Sequence, residues 1–456
     1  MTALLWLRRD LRRGDHPALL AAREASEDGS VCALFVLDPH LWERGGPVRR
    51  AWLAASLHAA TEDFDGHLVI RHGDPEKVVP AVAKEVEATS VHVTREVTPA
   101  GRRRDERVAQ ALKDKDIDWV ETGTPYAVGP GLVRNGSGDP YKVFTPFHRA
   151  WHDHGWPEPA AYPRSLDLVE VDSHQKALDM LDKALREDDL PTLPDAGEKA
   201  ALQRWRDFRD EALDDYDGDR DKPALDGTSR LSPYLKIGAI HPRTILADLS
   251  SKRSQGAQTF EQEIAWREFY ADVLFQAPKS AWEDLRDALP GMRYDEPTDA
   301  IEAWKQGRTG YPVVDAGMRQ LLEVGWMHNR VRMITASFLT KDLHVWWPVG
   351  ARWFLDRLVD GDIASNNHGW QWVAGTGTDA SPYFRVFNPV TQGEKFDPTG
   401  DYVRRWVPEL RHLEGKAAHQ PWNQDDGYDH DYPKPIVDHA EERKEALARY
   451  DSARGG

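Results

Sequence analysis

Residues Leu358 to Pro389 read LVDGDIASNNHGWQWVAGTGTDASPYFRVFNP, and thirteen positions of this stretch hold two acids (Asp360, Asp362), two amides (Asn366, Asn367) and two tryptophans (Trp370, Trp372). Glycines at 361, 369, 375 and 377 let the backbone turn tightly or approach a ligand closely. On a helix, residues two apart do not share a face, so Trp370 and Trp372 are expected to meet different partners. Taken singly, each residue has an ordinary account, the acids and amides as helix caps and the indoles as core. The cluster as a whole asks for more than caps and core.

Working outward, the 456-residue chain is long for one core, so two or three domains are expected. A single cysteine, Cys32, excludes an intrachain disulfide framework and points to a reducing, intracellular setting. The opening MTALLWLRRDLRRGD has too short an apolar run for a signal peptide, and no stretch is long enough to span a bilayer; a soluble, cytoplasmic protein without a membrane partner is expected. A net charge of −17 argues against general polyanion binding while leaving room for a local basic groove. Acidic runs such as DDYDGDRD from Asp214 suit a high-salt cytoplasm or ordinary solubility alike. No usual metal-ligand spacing appears, so no metal site is expected.

Along the chain, the runs LLWL, VCALFVL, HLVIR, SVHVT and DIDWV alternate with helical patterns over residues 1–125, which implies a doubly wound, Rossmann-like parallel sheet. The first strand is followed by RRDLRRGD and not by a Gly-rich loop, so a dinucleotide site is not expected there. Residues 126–196, rich in Pro, Gly and aromatics, read as a long surface connector. Residues 197–456 are helical in pattern throughout, giving an all-α second domain and an α/β plus all-α fold. Within it, Thr228, Ser229, Arg230 and Ser232 read as a helix N-cap and natural anion site. Glu263 and Trp266 share a helix face and suit a flat, hydrogen-bonding ligand such as a base; Asn329 and Met333 share another.

The pattern DGDxASNNxGWQW followed by FRxFNP resembles the flavin-binding signature of the cryptochrome/photolyase family, in particular the class I cyclobutane-pyrimidine-dimer photolyases. YKVFTPFHRAW, TSRLSP and WREFY are similar to that family too, and the resemblance covers nearly the whole chain. It implies an antenna domain for a light-harvesting pigment over residues 1–125, and a helical FAD-binding domain over residues 197–456. It also implies light-driven repair of UV-damaged DNA, in which reduced, excited flavin lends one electron to a flipped-out pyrimidine dimer. Base flipping by photolyases is general knowledge.

By the same resemblance, Tyr216, Thr228, Ser229, Arg230, Leu231, Ser232, Arg267, Trp326, Arg332, Asp360, Asp362 and Asn366 hold FAD, with Arg332 paired to Asp360 and Asn366 facing the flavin N5. Glu263, Trp266, Asn329, Met333 and Trp372 line the lesion pocket, and Arg330 and Arg385 meet the DNA. Trp370 and Trp347 are the inner members of an electron relay; Tyr294 replaces its third tryptophan, with Trp304 and Trp353 as possible diversions. For the antenna pigment, Lys236 favours a deazaflavin over a folate, with Arg9, Arg49 and Glu96 as further contacts. A monomer is expected.

A blue-light sensor of the same fold is the rival from another class. Asn366, where plant-type sensors carry an acid, and the complete lesion-pocket set count against it, as does the lack of a long C-terminal tail. A six-four photolyase would want a histidine pair at the pocket. A flavin enzyme of dark metabolism would need a nicotinamide or small-substrate site.

Overall fold

The apolar runs near the N-terminus are buried along nearly their whole length, as a parallel sheet covered on both faces requires. In the computed structural model, which describes residues 2–163, 165–378 and 384–455, Thr2–Leu7 (β1), Ser30–Leu37 (β2), Val69–His72 (β3), Ala88–Val93 (β4) and Asp118–Glu121 (β5) pair in the order β3-β2-β1-β4-β5, all parallel. The intervening helices Pro17–Ala25, Pro47–Asp63, Pro75–Glu85 and Pro99–Lys113 each start at a proline, whose missing N–H costs nothing in a first turn. A short strand from the connector, Asp167–Leu168 (β6), joins the β3 edge of β2 at Ser30 and Val31.

Strand order reverses between β1 and β4, where such sheets open their ligand crevice. Here the arginine-rich loop after β1 folds into that end of the sheet. Asp10 accepts from Arg8 N (2.7 Å) and Thr94 Oγ1 (2.6 Å) and faces His16 Nε2 at 3.4 Å. Arg8 pairs with Asp105 at 3.0 Å, and Arg12 donates to the carbonyls of Asp15 and Gly238. Burial drives the His16 pKa down to about 4 despite Asp10, so the imidazole is neutral.

The connector departs from its expected place on the surface. Tyr126, Phe147 and Trp151 are buried, because the helix Phe144–His154 packs on the helix Gln255–Gln276. The cause is a pair of carboxylates invisible to pattern reading. Glu268 accepts from Ala127 N (3.1 Å), Val128 N (3.1 Å), Gly129 N and Trp151 Nε1 (2.9 Å), and Asp272 accepts from Gly131 N at 2.6 Å. Buried N–H groups need partners, and these two acids supply them.

Two compact units result: Met1–Leu190 with Pro194–Asp214 and Ser229–Pro278, and Pro191–Leu193 with Asp215–Thr228 and Lys279–Gly456. This division differs from boundaries at residues 125 and 196. Helices Glu198–Glu211, Ser232–Ile237, Pro242–Leu249 and Gln255–Gln276 are grouped with the sheet and connector. Periodicity identifies a helix but not the partner it packs on.

The second unit is built of helices and helical turns around buried Trp304, Trp347, Phe354, Trp370 and Tyr402. Its periodic stretch after Pro312 divides at Gly325, which ends the helix Pro312–Val324 in the left-handed region (φ 62°) before Asn329–Ser337 begins. A π-helical turn, Phe338–Asp342, follows. Its buried Lys341 donates to Ala374 O (2.8 Å) and stands 3.4 Å from the Phe384 ring, which stacks on Tyr450 of the helix His439–Gly455. His439 pairs with Asp342 at 2.5 Å, and His344 with Glu442 at 2.7 Å. Among the described residues, no helix is long and apolar enough to cross a membrane.

Candidate cofactor and DNA site

In the second unit the helix Ile363–Ala374 is started by Asp362, whose Oδ1 accepts from Ala364 N (3.0 Å) and Ser365 N (3.1 Å). Asp360 just before it takes two hydrogen bonds from the Arg332 guanidinium, at 2.8 and 3.2 Å. The helix's inner face is fastened by polar groups. Asn367 donates to Ala281 O, Gln371 bonds Ser280 O (2.7 Å) and Leu285 N (2.7 Å), and His368 lies between Ala364 O and Ser280 Oγ. Burial lowers the His368 pKa to about 4, so it is neutral.

Asp362, Asn366 and Gly369 follow one another at helical spacing on one face. Both N–H bonds of the Asn366 amide are taken, by Ala351 O (3.1 Å) and Asn367 Oδ1 (2.8 Å), which orients its oxygen as the group left to receive an N–H. Apart from its chain neighbours and the adjoining backbone of its own helix, no described atom lies within 4 Å of where a side chain on Gly369 would begin. A bare stretch of helix beside a fixed acceptor fits a planar ring that carries an N–H at its edge.

The two tryptophans separate as helical geometry requires. Trp370 is buried edge-on to Trp304 (6.1 Å) and Phe354 (5.0 Å). Trp372 is part-exposed and lines a small pocket with Ser337, Phe384, Arg385 and Tyr450. The helix Asn329–Ser337, carrying Asn329 and Met333, packs against Ile363–Ala374. Arg330, implied as a DNA contact, is held by Asp221 through bonds of 2.8 Å to each carboxylate oxygen. Trp326 is half-buried near His328, and Tyr216 is buried with Arg220 over its ring at 5.7 Å.

Apart from Thr228, which ends a segment of the second unit, the remaining residues belong to the first unit. The N-cap reading of Thr228 and Ser229 is corrected. The helix Ser232–Ile237 is capped by Leu231 without a side-chain bond, while Ser229 Oγ accepts Leu231 N (3.3 Å) and Arg230 takes a left-handed φ of 51°. On Gln255–Gln276, Trp266 stacks flat on Phe144, with centroids 3.7 Å apart and planes at 9°. One face of that indole is therefore covered by the connector helix. Arg267 donates to Pro125 O and Leu235 O, both at 3.0 Å, and lies over the Tyr126 ring.

Of the antenna candidates, Arg9, Glu96 and Lys236 cluster near the carboxyl ends of β1 and β4. Arg9 Nε donates to Lys236 O (3.3 Å), and Glu96 accepts from Val97 N (2.8 Å) and Thr98 N (2.9 Å). Burial raises the Glu96 carboxyl, but Arg9 and Arg104 outweigh it and hold the group at about 2. Arg49 sits on Pro47–Asp63, donating to Arg44 O at 2.9 Å.

Residues 260–452 match the family described as the FAD binding domain of DNA photolyase, and residues 3–164 match that described as DNA photolyase. A Halobacterium salinarum protein named deoxyribodipyrimidine photo-lyase is 40% identical over 99% of both chains. The chain belongs to the cryptochrome/photolyase family. Among solved family structures, a class III photolyase from Agrobacterium tumefaciens superposes with a TM-score of 0.91 at 39% identity, over 100% of this chain and 98% of its own. An archaeal photolyase from Sulfolobus tokodaii, described with two FAD molecules and a novel light-harvesting cofactor, reaches 0.84 at 29% identity over 99% of this chain and 100% of its own. These likenesses bear out the fold class of a parallel-sheet domain with a helical FAD-binding domain. They do not place the chain in class I.

Proposed function

We propose that this chain is a deoxyribodipyrimidine photolyase, an FAD-dependent lyase that repairs cyclobutane pyrimidine dimers in DNA under blue light. The observation that carries the reading is end-to-end relatedness to proteins of that name, supported by the Asn366–Gly369 helix face. Bound reduced FAD supplies, on absorbing light, one electron that returns once the dimer has split. Tyr216, Thr228, Ser229 to Ser232, Arg267, Trp326, Arg332, Asp360 and Asp362 are the residues we assign to holding it. With FAD bound, the Asn366 oxygen would be the acceptor for an N–H at the ring edge, and an amide there has no acidic proton to give.

We assign stacking on an extruded dimer to Trp266, stiffened by Phe144, and to Trp372, and further contacts with it to Glu263, Asn329 and Met333. Arg385, exposed beside Trp372, meets a flanking phosphate. Arg330 acts there through the loop that it and Asp221 hold together. The class I placement rests on the quoted motifs alone. For the antenna, we assign a deazaflavin at Arg9, Glu96 and Lys236, with Arg49 on the helix Pro47–Asp63 as a further contact. We also assign a cytoplasmic monomer.

The test is repair of a thymine-dimer oligonucleotide by the reduced holoprotein, in blue light against dark. Restored thymines only in the light support the reading. Trp372→Ala should weaken binding of the lesion about tenfold to a hundredfold, since stacking is worth about 1–3 kcal/mol per base. Flavin retention with neither lesion binding nor repair would replace the enzyme reading with a light sensor.

A further inference from the structure

Two aromatic routes lead away from the buried pair Trp370 and Trp347. Gly350, one turn past Trp347 on the helix Trp347–Arg357, brings them together: an added Cβ would meet Trp370 Cη2 at 2.2 Å, so that ring lies flat against the backbone of Trp347's helix. The first route leaves through Trp346, edge-on to Trp347 at 6.5 Å, and continues to Tyr294 at 6.4 Å. Trp346 and Tyr294 are 39% and 37% exposed, so this route ends in water. The second passes from Trp370 to Trp304 at 6.1 Å, a ring with no exposure; its neighbour Lys305 stands over Trp353.

Charge separates the two. Trp347 Nε1 donates to Asp284 Oδ1 at 2.7 Å, which places an anion against the ring that must carry a positive charge. With burial as the larger cause, Asp284 also raises the Tyr294 phenol pKa, so the same anion is felt at the end of the route. Trp353 is covered instead by two cations, Lys305 Nζ at 5.2 Å and Arg357 Cζ at 4.7 Å from its ring centre. An electron vacancy is stabilised on the first route, whereas the second stops at a ring without exposure and the nearby Trp353 carries two cations that repel it.

We infer that Trp346, a residue the family pattern did not single out, is the surface terminus through which an electron vacancy leaves Trp370 and Trp347, with Asp284 as the positioning anion and Tyr294 as the ring beyond. The inference rests on the FAD-binding photolyase reading. One electron moves from Trp370 to light-excited oxidised flavin, one from Trp347 to Trp370, and one from Trp346 to Trp347. A thiol in solution fills the vacancy on Trp346 with one electron, and any proton lost from an indole to Asp284 or water returns with it. Overall, one electron passes from thiol to flavin and the rings are unchanged.

The experiment uses the full chain loaded with oxidised FAD and illuminated with dithiothreitol. Flavin reduction is followed by absorbance, indole and phenoxyl radicals by transient absorption, and the radical site by spin trapping and peptide mapping. Trp346→Phe should slow photoreduction by about tenfold or more and remove the trap adduct from the Trp346 peptide; Asp284→Asn should shorten the life of the indole radical, and Trp353→Phe should change nothing. Unaltered photoreduction in W346F, loss in W353F, or a wild type that does not photoreduce would overturn the inference. Chemically reduced protein separates the two levels. Wild type and W346F should then repair dimers equally, and failure of both would remove the photolyase reading itself.

Discussion

Gly350→Ala puts the packing of Trp370 to a quantitative test. The added methyl would sit 2.2 Å from Trp370 Cη2 and 2.6 Å from both Trp370 Cζ3 and Leu339 Cδ2, whereas carbon atoms in contact prefer about 3.5–4.0 Å. The ring must retreat by more than about 1 Å, yet Trp304 and Phe354 block its other sides. Overpacking a filled core costs about 1–3 kcal/mol; with both neighbours buried, we take the upper half of that range. Alanine in a helix interior recovers about 1 kcal/mol of it. The net loss is about 1–2 kcal/mol, which lowers Tm by roughly 2–8 °C for a unit of this size.

Gly369→Ala is the internal control, because it brings the same helix propensity into open space on Ile363–Ala374. In thermal unfolding of the flavin-free protein it should stabilise by about 0.5–1 kcal/mol, while flavin retention falls. If the two variants shift Tm alike, the contact at Gly350 does not govern Trp370. A Tm that rises in G350A would refute the packing argument outright.

Two further substitutions test buried charge. Burial holds the Lys341 pKa well below its ordinary value. The native state therefore binds fewer protons than the unfolded chain, and stability should rise with pH, by up to about 1.4 kcal/mol per unit, until the unfolded lysine titrates near about 10.4. Measured by urea unfolding from pH 7 to 10, wild type should gain on Lys341→Met across that window; a constant difference would mean that the native ammonium stays charged. Glu268→Ala leaves three backbone N–H groups and the Trp151 indole without their acceptor. A loss of at least about 3 kcal/mol is expected, and an unchanged urea midpoint would show that water replaces the carboxylate.

What the sequence discloses depends on how far apart the interacting residues lie. The five main strands were legible because burial on both faces leaves continuous apolar runs, and Asp362 was legible as a cap because capping is local. Asn366 was legible only through its neighbours in one motif. By contrast, Phe144 behind Trp266 and Glu268 beneath the connector join residues far apart in sequence, where no local period records the pairing. Arg9 was read as a pigment contact, whereas the partners of its neighbours Arg8 and Arg12, Asp105 and Gly238, became visible only in the folded unit. Trp346 was hidden by standing beside Trp347 in HVWWPVG, where adjacency on paper says nothing of which indole reaches water.

The five main strands are synthesised by residue 121, but Glu268 and Asp272, which fasten the connector, follow much later on the helix Gln255–Gln276. At typical translation rates the interval is roughly ten to thirty seconds. Throughout it, Tyr126, Phe147 and Trp151 leave the ribosome without their final cover, which makes this interval the natural moment for chaperone engagement. Stalled nascent chains that end before residue 255 should be cut within the connector by a protease, and chains extended beyond residue 278 should resist. The first unit thus matures on the ribosome only when its last helix arrives.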